Sequence, residues 1–296
     1  MKKINVSDFE FNGKGTFSIK KTKTKVSDFY ADKEDYELSL KSLQVELDEL
    51  QQKMFAHNKY GLLVIFQAMD AAGKDGTMKA VFSGVNPQGM KFYSFKRPTE
   101  TELEHDFLWR TNRELPERGT ITVFNRSYYE EVLVVKVHPE ILINTQKLPN
   151  DHTEDLEEVW KNRYEDIANL EKYLTRNGIP VVKFFLNISK KEQSERLIER
   201  IEDPSKNWKF DEQDVKERAF WNDYQAAYET LINETSTEQC PWYVVPADDK
   251  KNMRLIVANI LAKKLKSLDI DYPKSDLARQ QTLRQLIVKI KEQDKN

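Results

Sequence analysis

The stretch QAMDAAGKDGTMK, residues 67–79, collects the residue types that hold phosphate. Phosphate binding needs backbone N–H groups converging on one point, with the partial positive charge of a helix N-terminus behind them. Ala71, Ala72, Gly73 and Gly76 are small enough for the backbone to approach a ligand, and Lys74 adds a positive charge at the start of the helix that follows. The standard loop reads G-x-x-x-x-G-K-[ST]. This one departs from it twice: Ala68 stands at the first glycine and Asp75 at the hydroxyl. Alanine is nearly as small as glycine, so the first departure is modest. The second is larger, because a carboxylate does not imitate a neutral hydroxyl on Mg²⁺. Asp75 is expected to cap the helix and face away, with Thr77 as a substitute hydroxyl. Asp70, inside the loop, is placed to hold Mg²⁺ or to orient an attacking oxygen.

Three further stretches carry candidate chemistry. In TITVFNRSYYEEVLVVKVHP, Asn125 occupies the strand end where a P-loop enzyme usually has an acid for Mg²⁺. An amide coordinates that ion poorly beside a carboxylate. Arg126 can grip phosphate with a bidentate fork, and Glu130 and Glu131, one turn on, can replace the missing acid. Lys136 and His138 are equally consistent with surface roles. In SERLIERIEDPSKNWKFDEQD, Arg196 and Arg200 lie four apart on one helix face, Lys206 and Lys209 follow Asp203-Pro204, and Asp211 has the place of an N-cap. Such a flap can close over phosphates and bring cations to the transferring group. The alternative is a solvated helix whose arginines pair with Glu195, Glu199 and Glu202. In FKRPTETELEHDFLWR, Lys96 and Arg97 are candidates for an acceptor phosphate. Phe107 and Trp109 fit core packing better than base stacking, and Arg110 is spaced to pair with Asp106.

The elements that must position these residues alternate in type. GLLVIFQA is almost wholly apolar, as a strand buried on both faces should be. MKFYSF, GTITVF, IPVVKFFL and PWYVV complete five predicted strands. Between them lie helical patterns. Thr99/Glu102 and Ser189/Glu192 are spaced as capping boxes, and Asn177-Gly178 ends a helix of apolar period 3.6. EDYELSLKSLQVELDELQQKMFAHN is a further amphipathic helix, and two more close the chain, whereas the first 32 residues read as polar and irregular. Strands alternating with helices imply a mostly parallel sheet, which binds ligands at the carboxyl ends of its strands.

The 296 residues suffice for one α/β domain with helical additions. A net charge of -2 excludes a global field for nucleic acid. No apolar run reaches membrane-spanning length, and the N-terminus lacks the apolar segment of a secretion signal. A single cysteine, Cys240, fits structural packing in a reducing, cytoplasmic setting.

The order AMDAAGKDGT, FKRPTE, FNRSYYEEVLVVKVHPE, ERIEDPSKNWKFDEQD resembles the polyphosphate kinase 2 family over residues from about 35 to 270. The resemblance implies a P-loop kinase-like three-layer α/β/α sandwich with a mostly parallel five-stranded sheet and a helical lid. On this basis residues 1–296 form one domain, with an N-terminal extension and helix (1–58), a lid (189–236) and C-terminal helices (250–296). It implies phosphoryl transfer between inorganic polyphosphate and nucleoside mono- and diphosphates with Mg²⁺ or Mn²⁺, in a dimer or tetramer. It resembles most the subgroup (class III) that uses both AMP and ADP. Asp70 would bind metal, with Glu130 as a second acid, and orient the acceptor. Lys74 would neutralise the transferring group within the loop Ala71–Thr77. Arg126, Arg196 and Arg200 would grip phosphates, with Lys206 and Lys209 as further lid cations. Many members carry aspartate where this chain has Asn125. The rival expectations are an ATP-dependent nucleoside monophosphate kinase and a P-loop scaffold without turnover.

Overall fold

A computed structural model describes residues 2–294; residue 1 and residues 295–296 of the expected terminal segments lie outside the described residues. The strands are β1 (Glu10–Phe11), β2 (Leu62–Ala68), β3 (Met90–Ser94), β4 (Ile121–Asn125), β5 (Val181–Asn187) and β6 (Trp242–Pro246). They form one sheet of order β1-β6-β5-β2-β4-β3. All neighbours are parallel except β1 with β6. The expected five strands are therefore joined by a sixth. It is two residues long, too short for a period-2 pattern to register.

The helices are α1 (Lys33–His57), α2 (Lys74–Val81), α3 (Glu100–Leu103), α4 (Trp109–Asn112), α5 (Val134–Val137) and α6 (Pro139–Thr145), followed by α7 (Leu156–Arg176), α8 (Lys190–Glu202), α9 (Glu212–Ala219), α10 (Trp221–Thr235), α11 (Lys250–Lys266) and α12 (Leu277–Gln293). Among the described residues no helix is long and apolar enough to cross a membrane.

β2 sits between β5 and β4, and every residue of β2 and β5 is buried, which is why both are mostly apolar. α1, α2 and α11 pack together as one helical layer, and α7, α10 and α5 pack as another. The first 32 residues are less irregular than their composition suggests. Ile4, Val6, Phe9, Phe17 and Ile19 are buried. Side chains of the distant helices α10 and α11 satisfy the segment's backbone: Phe17 N–H donates to Asn233, Ile19 N–H to Glu229 and Phe29 N–H to Asn252.

One polar feature of the core supports the site. The Lys183 ammonium donates to Glu171 Oε2 (2.6 Å) and to the Thr235 carbonyl (2.8 Å), with both charged side chains fully buried. Tyr128 and Tyr129 donate to the other oxygen of Glu171 (3.0 and 2.8 Å). A buried charge of this kind survives only when paired and hydrogen-bonded. Here the pairing anchors the 3₁₀ turn Tyr128–Val132 that carries Glu130.

Candidate active site

β2 ends at Ala68, the chain turns through Met69–Gly73, and α2 begins at Lys74 with Gly73 at its N-cap (φ 100°). The first-turn amides Lys74–Gly76 have no partner within the helix. Thr77 is the first to have one, its N–H donating to Gly73 O. Two non-glycine residues beyond the strand ends lie in the left-handed region, Ala71 after β2 (φ 60°) and Arg126 after β4 (φ 63°). Such strain persists only where the surroundings over-determine it. For Arg126 part of the reason is visible, since its N–H donates to Phe66 O on β2.

The carbonyl side of the loop is held by α8. Arg196 is 6% exposed and donates to Ala71 O (3.3 Å), Ala72 O (2.9 Å), Ala247 O (2.7 Å), Asp248 O (3.1 Å) and the Glu192 carboxylate (2.8 Å). Gln193, 2% exposed, donates to Asp70 O (3.1 Å). Three consecutive loop carbonyls are thus tied to the protein interior. This corrects the expectation for Arg196: its donors are occupied by backbone, so it staples the loop and offers no grip to a phosphate chain. Thr77 is corrected as well. Its side chain is fully buried and its hydroxyl faces Met253 Sδ (3.7 Å), so it supplies no hydroxyl in place of the one missing at Asp75.

Lys74 Nζ donates to Ala68 O (2.9 Å), and burial pushes its pKa below the usual 10.5, with the Asp70 carboxylate opposing. Arg126 bridges the two expected metal acids, 3.3 Å from Asp70 and 3.8 Å from Glu130. Gln67, with its amide turned to satisfy both ends, donates to Glu130 Oε1 (2.9 Å) and accepts from Ser127. Asn125 donates to Asp75 Oδ1 (2.7 Å) and to Ser94 Oγ (3.4 Å), while its own Oδ1 is buried without a partner. Asp75 therefore does not simply cap α2.

Among the described residues no group of three or more His, Cys, Asp or Glu side chains is placed to hold a metal. The side-chain oxygens near the loop include the carboxylates of Asp70, Asp75 and Glu130 and the orphaned Asn125 carbonyl. Oxygen-only donors suit a hard cation such as Mg²⁺ or Mn²⁺ that keeps several waters.

Asp70 and Arg126 form one end of a cleft of about 680 Å³. Its lining also includes the apolar side chains of Phe95, Leu103, Phe107 and Ile141 beside the polar Arg110, Glu131 and Gln146. Lys96 and Arg97 are exposed on its rim. Phe107 reaches the cleft, with the Arg163 guanidinium 4.9 Å from its ring centre; Trp109 instead stacks on His105 (3.8 Å). Arg110 does not pair with Asp106 as its spacing suggests. It donates to Lys96 O (2.7 Å) and faces Glu102 (3.5 Å), which braces the rim. His138 is held by Glu217 (2.9 Å), whereas Lys136 lies over the Tyr164 ring.

In the expected lid, Arg200 pairs with Asp214 (3.2 Å) and Lys206 with Asp203 (2.7 Å) and Glu199 (3.2 Å). The side chain of Lys209 lies outside the described residues. α10 buries Trp221, Tyr224, Tyr228 and Leu231 and packs on α7, as part of that helical layer. Sequence reasoning missed Gln193, Asp214, Tyr224 and Tyr228, all of which line the cleft. Gln193 had one signal, its place a turn before Arg196 on the same face.

A family model described as polyphosphate kinase 2 matches residues 30–273. The chain belongs to the polyphosphate kinase 2 family. It is 50% identical to an ADP-polyphosphate phosphotransferase of Rhodopseudomonas palustris, over 96% of this chain and 98% of the relative. It is 44% identical to an AMP/ADP-polyphosphate phosphotransferase of Meiothermus ruber, over 81% and 85%. The crystal structure of polyphosphate kinase 2 from Arthrobacter aurescens TC1 superposes with a TM-score of 0.82 at 40% identity, covering 92% of this chain and 93% of that one. Within the polyphosphate kinase 2 family, the variant loop and the FNRS segment of this chain are the parts that meet at the site.

Proposed function

We propose that this chain transfers phosphoryl groups from inorganic polyphosphate to AMP and ADP, and to GMP and GDP, reversibly, forming the diphosphates and triphosphates. The observation that carries this reading is one cleft beside the loop whose lining combines the cations Lys96, Arg97 and Arg126 with the apolar side chains Phe95, Leu103 and Phe107. A nucleotide acceptor needs both kinds of lining; a polyphosphate donor needs only cations and N–H groups. Kinship with the phosphotransferases named above supports the same reading.

Little covalent chemistry falls to side chains in phosphoryl transfer, so catalysis is alignment plus charge stabilisation. The first-turn amides of α2 and Lys74 receive the transferring group. Arg126 neutralises charge on the phosphates beside it and, through Asp70 and Glu130, fixes both carboxylates. Arg200, once released from Asp214, is the lid cation placed to follow, with Lys206 beside it, and Lys96 and Arg97 meet the acceptor at the rim. A bound Mg²⁺ or Mn²⁺, held by Asp70 and Glu130, supplies further neutralisation of phosphate oxygens. We also assign the chain a cytoplasmic setting and a dimeric or tetrameric state.

The test is ATP formation from ADP or AMP by the purified protein with Mg²⁺ and polyphosphate. Absence of ATP at every polyphosphate length overturns the proposal. Phosphorylation of AMP by ATP alone, at equal efficiency, favours the ATP-dependent rival instead.

A further inference from the structure

Two of the three departures of this chain from the standard P-loop pattern touch each other. Asp75 stands where a hydroxyl is usual, Asn125 stands where an acid is usual, and they share a 2.7 Å hydrogen bond from Asn125 Nδ2 to Asp75 Oδ1. They are 50 residues apart in the chain. Asn125 is the last residue of β4, level with Ser94 on β3 and Phe66 on β2. Asp75 is in the first turn of α2, where the helix N-terminus favours a carboxylate.

Together Asp75 and Ser94 take up the amide donors of Asn125. An acid at position 125 would place two carboxylates in contact, and such a pair cannot both ionise at neutral pH. The amide oxygen is left buried and unpartnered. An orphaned buried acceptor is costly, and in a native protein it requires an explanation. Phosphates carry no donors at neutral pH, so the donors a phosphate ligand brings are those of its hydration and of its hydrated cation.

We infer that Asp75 is a positioning residue: its carboxylate dictates an amide at position 125, fixes the direction of the Asn125 carbonyl, and so presents one hydrogen-bond acceptor to the hydrated phosphate ligand. The pair takes over as a unit what a hydroxyl and an acid do separately in the standard pattern. The proposal rests on the phosphotransferase reading above. Charged groups on the surrounding elements are Lys74 on α2, which interacts with Asp75, Arg126 after β4 with its partners Asp70 and Glu130, and Arg254 on α11.

The experiment compares Asn125→Asp, Asp75→Ala and the exchanged pair D75N/N125D with the unaltered protein. kcat and KM for AMP and ADP are measured from pH 6 to pH 8, and thermal unfolding is followed in parallel. Losing a hydrogen bond to a charged group corresponds to about tenfold or more, so N125D should fall at least that far in kcat/KM at pH 8. It should recover toward pH 6, because the introduced carboxyl, once protonated, reproduces the amide's donor to Asp75. The exchanged pair should regain most of the loss at pH 8 and show no such recovery, since it carries one acid and one amide again. A purely structural contact would shift all variants together and leave the ratio to the unaltered protein flat with pH. An exchanged pair no better than N125D, or a flat ratio, overturns the inference. Unfolding decides independently of turnover: the cost of D75A should largely vanish in an N125A background, and fully additive costs also overturn it. Failure of the unaltered protein to use polyphosphate would instead overturn the function proposed above.

Discussion

Arg196→Ala separates two roles that look alike in sequence. If Arg196 were a lid cation, its loss would lower turnover and leave stability alone. Its position in the structure demands the reverse emphasis. The side chain is buried and makes five hydrogen bonds, four of them to carbonyls of the loop and of Ala247–Asp248. Truncation leaves those carbonyls and Glu192 without their donor. The gain from no longer burying a guanidinium offsets part of this. Breaking such buried charged sets costs about 3–5 kcal/mol. In a chain of this size each kcal/mol lowers the melting temperature by about 2–4 °C, so the drop should be roughly 6–20 °C. Arg200→Ala is the control. Its partner Asp214 lies at 3.2 Å with both side chains partly exposed, and a pair of that kind is worth about 0–1 kcal/mol. R200A should melt within about 4 °C of the unaltered protein while losing rate. The assay is thermal unfolding beside single-turnover phosphorylation of ADP. The reasoning is refuted if R196A melts like R200A and loses only rate.

Other outcomes follow from the same geometry. Lys74→Ala and Asp70→Ala should each lower kcat/KM with polyphosphate by several orders of magnitude, about 10²–10³ per group removed from a charge-stabilising site at minimum; near-normal turnover removes that residue from the mechanism. Because burial lowers the Lys74 pKa, the free enzyme should lose its cation below pH 10.5, giving kcat/KM an alkaline limb earlier than an ordinary lysine would. Lys74→Arg should shift that limb upward, and an unmoved limb assigns it to another group. The same shift has a stability sign: the penalty of holding Lys74 charged is present below its folded pKa and is relieved as pH rises toward 10.5. Glu171→Gln, which leaves the Lys183 ammonium buried without its counter-charge, should cost about 3–5 kcal/mol in urea unfolding, whereas K183M/E171L should be near neutral; equal losses would show that packing rather than charge is at stake. Asp214→Asn frees Arg200 and should lower the KM for polyphosphate, and a raised KM means that Asp214 itself serves binding.

The sequence alone determined what is local. Five strands were legible because β2 and β5 are dominated by apolar residues and the others are bounded by turn residues. The Thr99–Glu102 capping box forms with both of its hydrogen bonds, and Gly178 takes the left-handed conformation after α7. The loop between β2 and α2 was legible because small residues and a Gly-Lys pair at a strand-to-helix turn leave few alternatives. What depends on distance between elements was decided only by the tertiary structure. Arg196 and Arg200 are the same residue type on the same helix face, yet α8 crosses the loop, so that the first is buried against carbonyls and the second meets Asp214. β1 exists because β6 offers an open edge to a two-residue segment too short to declare itself. Asp75 and Asn125 looked like two separate defects in a phosphate loop. Only the sheet register brings the end of β4 against the first turn of α2 and makes them one hydrogen-bonded pair, because a contact across 50 residues is fixed by how strands align and not by any spacing along the chain.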